Sequence, residues 1–348
     1  MLRETTAVHD SDWGEKTMSE LREKQYEACE RRLSAFPAVG LFDADATDAQ
    51  AQELLQISFY QNEPDSDGLI TLEALRRRVL AQLPTEAMYL SNGESILLER
   101  LLAADGKISS GNWDEIDAAE ALARRLWCTF SAKGEKWSLS LPDALFEPLL
   151  MAYNDPLYTQ AKAKLFRYDA TIHGLLYIAG FLHSGQPLLF FIKDVMENRS
   201  ALAQNIAYRY MKASFEYIDG TDREIVLLHP GLADPNRLVN MTDFGDDVTL
   251  TLNEETLAGG MNGILPEEEP LHEAMRYALD GFTRPEWEAE DAADALRFLA
   301  KQGVSLANMA EVMGTMICVR PTLAMNTALK RLYESTPHWI GMTANLRH

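Results

Sequence analysis

One long apolar stretch constrains the fold of this 348-residue chain more than any other feature. It runs over residues 171–192 as TIHGLLYIAGFLHSGQPLLFFI and is interrupted at Ser184-Gly185-Gln186-Pro187. Each part is shorter than the ~20 residues that a helix needs to cross a bilayer. The stretch therefore predicts a helical hairpin buried in a protein core, in a protein that has no membrane partner.

Charge is unevenly distributed along the chain, which has a formal net charge of −21. Residues 219–291 contain 18 acidic and 4 basic side chains, whereas residues 71–218 are nearly neutral. A protein that binds nucleic acid needs a positive surface to displace condensed counterions, and no such segment is evident. Charge of this kind can serve solubility alone. The more specific hypothesis is an acidic face that contacts a basic partner surface.

Cysteine content and the N-terminal sequence indicate the compartment. The three cysteines, Cys29, Cys128 and Cys318, are far apart and odd in number, which favours neither a disulfide framework nor a CxxC metal site. The first residues show no cationic and apolar secretion signal. We therefore expect a cytoplasmic protein with reduced thiols.

Residues 71–142 show the clearest organisation. Three amphipathic helices are predicted here, with capping boxes at Ser91 to Glu94 and at Asn112 to Glu115. Two short strands around Lys133-Gly134 follow them. This is the element order of a winged-helix domain. Its third helix would present Asp114 and Glu115 to the phosphates of a duplex, and repulsion favours a contact with protein instead.

The remaining chain predicts more helical modules, so the fold class is mainly α (α+β), with helices and small β-hairpins. Residues 1–70 form an acidic N-terminal tail with helices, and residues 143–265 form a second helical module with short strands. Residues 266–348 form a C-terminal helical domain. There, helices are predicted to begin at Thr283-Pro285 and at Ser305, and a stripe of Met309, Met313 and Met316 is typical of a core.

The segment EPDSDGLITLEAL at residues 63–75 resembles a calcium-binding loop. Glu63, Asp65 and Asp67 occupy the first three ligand positions of an EF-hand loop, and Gly68 occupies its turn position. The bidentate Glu of that loop is replaced by Ala74. We therefore interpret this segment as a turn that leads to a helix capped by Thr71.

Glu269 and His272 form the other candidate metal site, because their ExxH spacing occurs in carboxylate-bridged metal centres. A second ExxH is missing, and Arg276 stands where a zinc-protease motif has its second His. The chain also lacks the glycine-rich phosphate loop and the nucleophile elbow of common enzyme families. The sequence thus predicts no cofactor and no catalytic residue.

The end of the chain resembles uncharacterised bacterial proteins that are associated with the SEC-C motif. The resemblance rests on Leu332, Tyr333, Thr336, Trp339, Gly341, Thr343 and Leu346. It implies a helical domain that finishes in a Leu-Tyr-rich helix, a polar turn and a Trp. The Cys-rich zinc motif of that group is absent from this sequence, and the resemblance implies no activity.

Three hypotheses about function follow. The leading one is a non-enzymatic, regulatory protein that binds a protein partner through an acidic surface. The second is an acidic inhibitor, of the phage or mobile-element type, that occupies the nucleic-acid-binding groove of its partner. The third is a metal-dependent enzyme centred on Glu269 and His272. For the first two, the candidate partner-binding residues are Glu267, Glu268, Glu269, Asp246, Asp247, Asp114 and Glu115.

Overall fold

The computed structural model describes residues 36–61, 70–110, 112, 115–133, 136–219, 225–232 and 254–339. The chain divides into two compact units, Met1–Gln160 and Ala161–His348. Helices dominate both units, and the described strands form two antiparallel sheets of three strands each. The mainly helical α+β class predicted from the sequence is confirmed.

The described part of the first unit alternates helices with short strands. Its elements are α1 (Asp48–Ile57), α2 (Leu72–Glu86), a 3₁₀ turn (Ala87–Tyr89), α3 (Asn92–Ala103), β1 (Lys107–Ser110), α4 (Ile116–Arg124), β2 (Thr129–Lys133), β3 (Lys136–Ser140) and α5 (Asp143–Tyr153). The next helix, α6 (Pro156–Ala179), contains the division between the units.

Side-chain caps explain where several of these helices begin. Thr47, Thr71 and Ser91 each accept a hydrogen bond from a backbone amide in the first turn of their helix. The box predicted at Ser91 and Glu94 is formed on both sides. The box predicted at Asn112 and Glu115 is wrong, because α4 begins only at Ile116 and the Glu115 side chain is bonded to Arg100 and Ser110.

The sheet of the first unit has the strand order β1-β3-β2. Leu139 of β3 lies opposite Ile108 of β1 and Phe130 of β2, and Trp137 is fully buried. The two strands predicted around Lys133-Gly134 are therefore present as β2 and β3. Strand β1, between α3 and α4, was not predicted, because its KISS sequence has no alternating apolar pattern.

The second unit continues with helices on either side of another small sheet. After α6 come β4 (Phe181–His183), α7 (Gly185–Phe190), a π-helical turn (Phe191–Met196), α8 (Ala201–Ser214), β5 (Glu216–Asp219), β6 (Ile225–Leu228), α9 (Glu254–Met261), α10 (Glu269–Leu279), α11 (Ala289–Lys301), α12 (Leu306–Met316) and α13 (Leu323–Ser335). The strand order is β4-β6-β5.

The apolar stretch at residues 171–192 does not form the predicted helical hairpin. Helix α6 ends at Ala179, Gly180 adopts a left-handed conformation with φ +82°, and β4 follows directly. Strand β4 then pairs with β6, whose four residues are all buried. Most of these apolar residues are buried, although Leu189 is 67% exposed. Part of the stretch is buried in a sheet rather than a helix, because a buried strand and a buried helix share a continuous apolar pattern.

Helices α10 to α13 enclose one apolar core. Met275, Leu296 and Leu329 contribute to this core, and the stripe Met309, Met313 and Met316 is buried in it as predicted. Ser305 caps α12 as expected. Helix α11 begins at Ala289 rather than at the predicted Pro285, because the Trp287 amide closes a turn on the Arg284 carbonyl.

Candidate functional site

In the described part of the second unit, a group of buried charged side chains surrounds Glu268, the residue that precedes α10. The Glu268 side chain is fully buried. Its Oε1 accepts a hydrogen bond from Lys301 Nζ, and its Oε2 accepts hydrogen bonds from the Tyr177 hydroxyl and from the Leu265 amide. Arg297 Nη1 lies 3.4 Å from the same Oε2. We call Glu268, Lys301, Arg297 and Tyr177 the buried ion network.

Arg297 and Lys301 make further contacts with backbone and side-chain groups around the network. Arg297 donates hydrogen bonds to the Tyr177 hydroxyl, to the Gly263 carbonyl at 2.8 Å and to Asp294 Oδ1 at 2.6 Å. The Lys301 ammonium also lies 4.4 Å from the centre of the Tyr177 ring. Two cations and two carboxylates thus offset one another's charge, so the geometry indicates a structural role that ties α6 to α10 and α11.

Burial sets the protonation behaviour of this network. Burial raises the pKa of Tyr177, and the adjacent Glu268 charge raises it further, so its hydroxyl stays protonated and donates to Glu268. Burial lowers the pKa of Lys301, and the ion pair with Glu268 counteracts that effect. A neutral donor and a paired ammonium are therefore both held on one carboxylate.

An aromatic cluster adjoins the network on the side of α6. The His229 ring lies 5.8 Å from the Tyr177 ring, 5.3 Å from the Phe298 ring and 5.2 Å from the Trp339 ring. Its Nδ1 accepts a hydrogen bond from the Gly231 amide at 3.0 Å. Burial, together with the charges of Lys301, His173 and Arg297, lowers the pKa of His229 to about 4, so the ring is neutral at pH 7.

The exterior of the same region is strongly acidic. Between residues 254 and 301, the exposed side chains of the described structure include eight carboxylates and one cation, Arg284. The other basic residues of this range are the half-buried Arg276 and the buried Arg297 and Lys301. We call the eight exposed carboxylates the acidic surface: Glu255, Glu267, Glu269, Asp280, Glu286, Glu288, Glu290 and Asp291.

Arg276 bridges helices α10 and α11 at the edge of this surface. Its Nη2 lies 2.8 Å from Glu273 Oε2 on its own helix, and its Nε lies 3.4 Å from Glu290 Oε2 on α11. The hydrogen bond from Arg276 lowers the pKa of Glu273. The guanidinium carbon also lies 4.4 Å from the centre of the Tyr277 ring. One arginine is thus held by two carboxylates and an aromatic ring.

The predicted partner-binding residues do not form one set. Glu267 and Glu269 are exposed, so both belong to the acidic surface. Glu268 is not available to a partner, because its carboxylate is buried on Lys301, which corrects its assignment from the sequence. Glu115 is only partly exposed and is paired with Arg100 at 2.7 Å. Asp114, Asp246 and Asp247 lie outside the described residues.

Glu269 and His272, the residues of the predicted ExxH metal site, differ in their surroundings. His272 is buried and faces α11, where its Nε2 lies 3.1 Å from Asp294 Oδ1, whereas Glu269 is exposed. Within the described ranges, no group of three or more His, Cys, Asp or Glu side chains is arranged to hold a metal ion. Residues 63–69 of the calcium-like segment, which include all of its acidic candidate ligands, are outside those ranges.

The basic members of the buried ion network were not predicted from the sequence. Arg297 and Lys301 are one helical turn apart on α11, and with Asp294 they alternate with the apolar residues Leu296 and Ala300. A cation on an otherwise apolar helix face signals a buried ion pair. Tyr177 gave no such signal, because it lies within a continuous apolar stretch.

A second buried ion network lies in the first unit. Arg125, which has no exposed side-chain surface, donates to Glu94 Oε1 at 2.6 Å and to Glu86 Oε1. The Tyr60 hydroxyl donates to the other Glu86 oxygen at 2.9 Å. Burial raises the pKa of Glu86, although Arg125 and Tyr60 oppose that effect. This network joins α2, α3 and the end of α4, and like the first it is internal.

Comparison of the chain with protein-family models, with curated proteins and with solved structures found no match. The resemblance to SEC-C-associated proteins therefore stays a prediction. Of its residues, Leu332, Thr336 and Trp339 are buried, and positions 341, 343 and 346 are outside the described structure. Across the described helices, none has the length and apolar character that a membrane span requires.

Proposed function

We propose that this protein acts without an enzymatic activity of its own, by binding a protein partner that presents a basic surface. The contact is made by the acidic surface of residues 255–291. One observation carries the proposal: Arg297 and Lys301 are buried with Glu268, so they cannot offset the eight carboxylates that remain on the exterior.

Electrostatics gives this arrangement a physical role. A surface with one sign of charge steers a partner of the opposite sign and raises the association rate, and salt reduces this effect. Glu269, Glu290 and Asp291 lie on a rigid support, because α10 and α11 pack on a shared core and are joined by the buried ion network. A fixed array of charges favours a specific partner over general solubility.

The test compares two variants that have the same net charge. The first carries Glu267→Lys, Glu269→Lys and Glu286→Lys on the acidic surface. The second carries Glu53→Lys, Glu147→Lys and Glu311→Lys, which are exposed elsewhere. Each variant and the wild-type protein are used for affinity capture from the native host, followed by mass spectrometry and by binding kinetics at 50 and 300 mM salt.

We expect the wild-type protein and the second variant to capture the same basic partner, with an association rate that falls as salt rises. The first variant should lose that partner while its circular dichroism and melting temperature stay close to those of the second, because exposed charges contribute little to stability. Equal capture by both variants would disprove the proposal. If the captured partner binds DNA or RNA and this protein competes for that site, its action is that of an inhibitor.

A further inference from the structure

The Arg276 site has the components of an arginine-binding site. Its guanidinium is held between Glu273 of α10 and Glu290 of α11, beside the ring of Tyr277. We call Glu273, Glu290 and Tyr277 the arginine cradle. Carboxylates accept the N–H groups of a guanidinium, and an aromatic ring stacks on its plane. The cradle thus combines the two interactions that distinguish arginine from lysine.

The cradle is open to solvent. The side chains of Glu273 and Glu290 are 44% and 57% exposed, and Tyr277 is 67% exposed. Arg276 itself is only 28% exposed, so the intramolecular arginine fills the inner part of the site. The Tyr277 ring is two-thirds exposed and lies beside the two carboxylates of the cradle, so a second molecule can reach it.

A buried polar atom behind the cradle is left without an aligned hydrogen bond. His272 Nε2 lies 3.1 Å from Asp294 Oδ1 and 4.0 Å from Glu290 Oε1. The atom is shielded from solvent and makes no hydrogen bond of adequate geometry, although the imidazole is directed at both carboxylates. Because both neighbouring oxygens belong to carboxylates, which accept hydrogen bonds, Nε2 faces them as a donor and offers no acceptor to a guanidinium.

We propose that the acidic surface recognises arginine in particular, and that Arg276 occupies the place of the partner's arginine in the free protein. This inference rests on the proposed function and adds the chemistry of its partner: an exposed segment with at least one arginine side chain. On binding, the partner's guanidinium replaces Arg276 on Glu290 and stacks on Tyr277. The contact of Arg276 with Glu290, at 3.4 Å, is longer than its two hydrogen bonds to Glu273, at 3.3 and 2.8 Å.

Two synthetic peptides of equal length and charge test the inference, one of six arginines and one of six lysines. Fluorescence anisotropy at ~100 mM salt measures the affinity of the full-length protein for each. We expect the arginine peptide to bind about fivefold more tightly, from stacking at an exposed ring. Tyr277→Leu should bring the two affinities together. The control Phe166→Leu removes another exposed aromatic side chain of the same unit and should keep the difference.

A second pair of variants tests the role of Arg276. Arg276→Ala should increase the affinity for the arginine peptide more than for the lysine peptide, because it empties the cradle. Arg331→Ala removes the same charge from an exposed position on α13 and should change both affinities equally. Equal binding of the two peptides by wild-type protein, or binding of neither, would overturn the arginine cradle. The proposed function is judged separately, by partner capture with the two triple variants.

Discussion

Lys301 Nζ lies 2.5 Å from Glu268 Oε1, and neither side chain is exposed to solvent. Glu268 is the middle residue of a run of three glutamates, and its two neighbours are exposed. The ion pair with Lys301 therefore places Glu268 in the core, whereas Glu267 and Glu269 remain on the acidic surface. The energetic role of Glu268 differs accordingly from that of Glu267 and Glu269.

Replacing this carboxylate should be costly. Glu268→Gln leaves the ammonium of Lys301 and the guanidinium of Arg297 buried without their shared partner, and we expect a loss of about 3–5 kcal/mol in the free energy of unfolding. Chemical denaturation followed by circular dichroism measures it. The control Glu267→Gln changes an exposed neighbour and should stay within about 0.5 kcal/mol of wild type. A similar small loss for both variants would contradict the buried ion network.

The first unit permits an analogous experiment at Arg125. Arg125→Met leaves Glu86 and Glu94 buried without a cation, and we expect a loss of about 3–5 kcal/mol in the free energy of unfolding at pH 7. Burial already raises the pKa of Glu86, and loss of Arg125 should raise that pKa further. A raised carboxyl pKa in the folded state means that the folded protein binds the proton more readily than the unfolded chain. The unfolding free energy lost in Arg125→Met should therefore become smaller as the pH falls from 7 towards 5.

The control for Arg125 is Arg77 on α2. Arg77→Met removes an exposed arginine that is paired with the exposed Glu73, and we expect a loss below about 1 kcal/mol in the free energy of unfolding. Thermal and urea denaturation of both variants at pH 5, 6 and 7 gives the comparison. If the unfolding free energy lost in Arg125→Met is the same at all three pH values, Glu86 and Glu94 are not buried together.

His229 should make the second unit sensitive to acid. Its pKa is lowered to about 4 in the folded protein, whereas an unfolded histidine has a pKa of about 6.5. The unfolded state therefore binds more protons between these values. The contribution of the neutral His229 ring to the free energy of unfolding is fully present above pH ~6.5 and is lost as the pH falls through about 4.

The variant His229→Asn isolates this contribution, since an asparagine oxygen can replace Nδ1 as the acceptor for the Gly231 amide. The difference in unfolding free energy between wild type and variant should fall by on the order of 1–2 kcal/mol between pH 7 and pH 4, after allowance for partial exposure of the ring. An unchanged difference would show that His229 titrates normally.

Gly180 should be intolerant of a side chain for two separable reasons. Its φ of +82° disfavours any L-residue, and a Cβ atom would lie 2.8 Å from the Trp339 ring. Gly263 has a φ of +76° but open space around it. We expect Gly263→Ala to cost about 1 kcal/mol from backbone strain alone. Gly180→Ala should cost at least ~1 kcal/mol more, because a rigid, fully buried indole cannot move aside cheaply.

Melting temperatures and urea midpoints of these two variants measure the difference. A further check uses tryptophan fluorescence, because Trp339 donates a hydrogen bond to the Tyr177 carbonyl and is fully buried in the folded protein. Its emission should shift in Gly180→Ala and remain unchanged in Gly263→Ala. Equal costs and equal spectra would place Trp339 away from Gly180.

Local features of this protein could be predicted from sequence because short-range physics produces them. The caps at Thr47, Thr71, Ser91, Ser200 and Ser305 each depend on a side chain and an amide three residues away. The methionine stripe of α12 is buried because its spacing matches one helical face. The net charge, likewise, is a property of composition alone.

The tertiary structure decided which charges are surface and which are core. Glu267, Glu268 and Glu269 are chemically identical in the sequence, yet only Glu268 meets Tyr177, Arg297 and Lys301, which lie 91, 29 and 33 residues away along the chain. The apolar stretch at residues 171–192 likewise led to burial of most of its residues, but pairing with β6 made part of it a strand. In both cases the outcome depends on partners distant in sequence, because burying a charge or a strand is favourable only when another element supplies the ions or hydrogen bonds that water would otherwise provide.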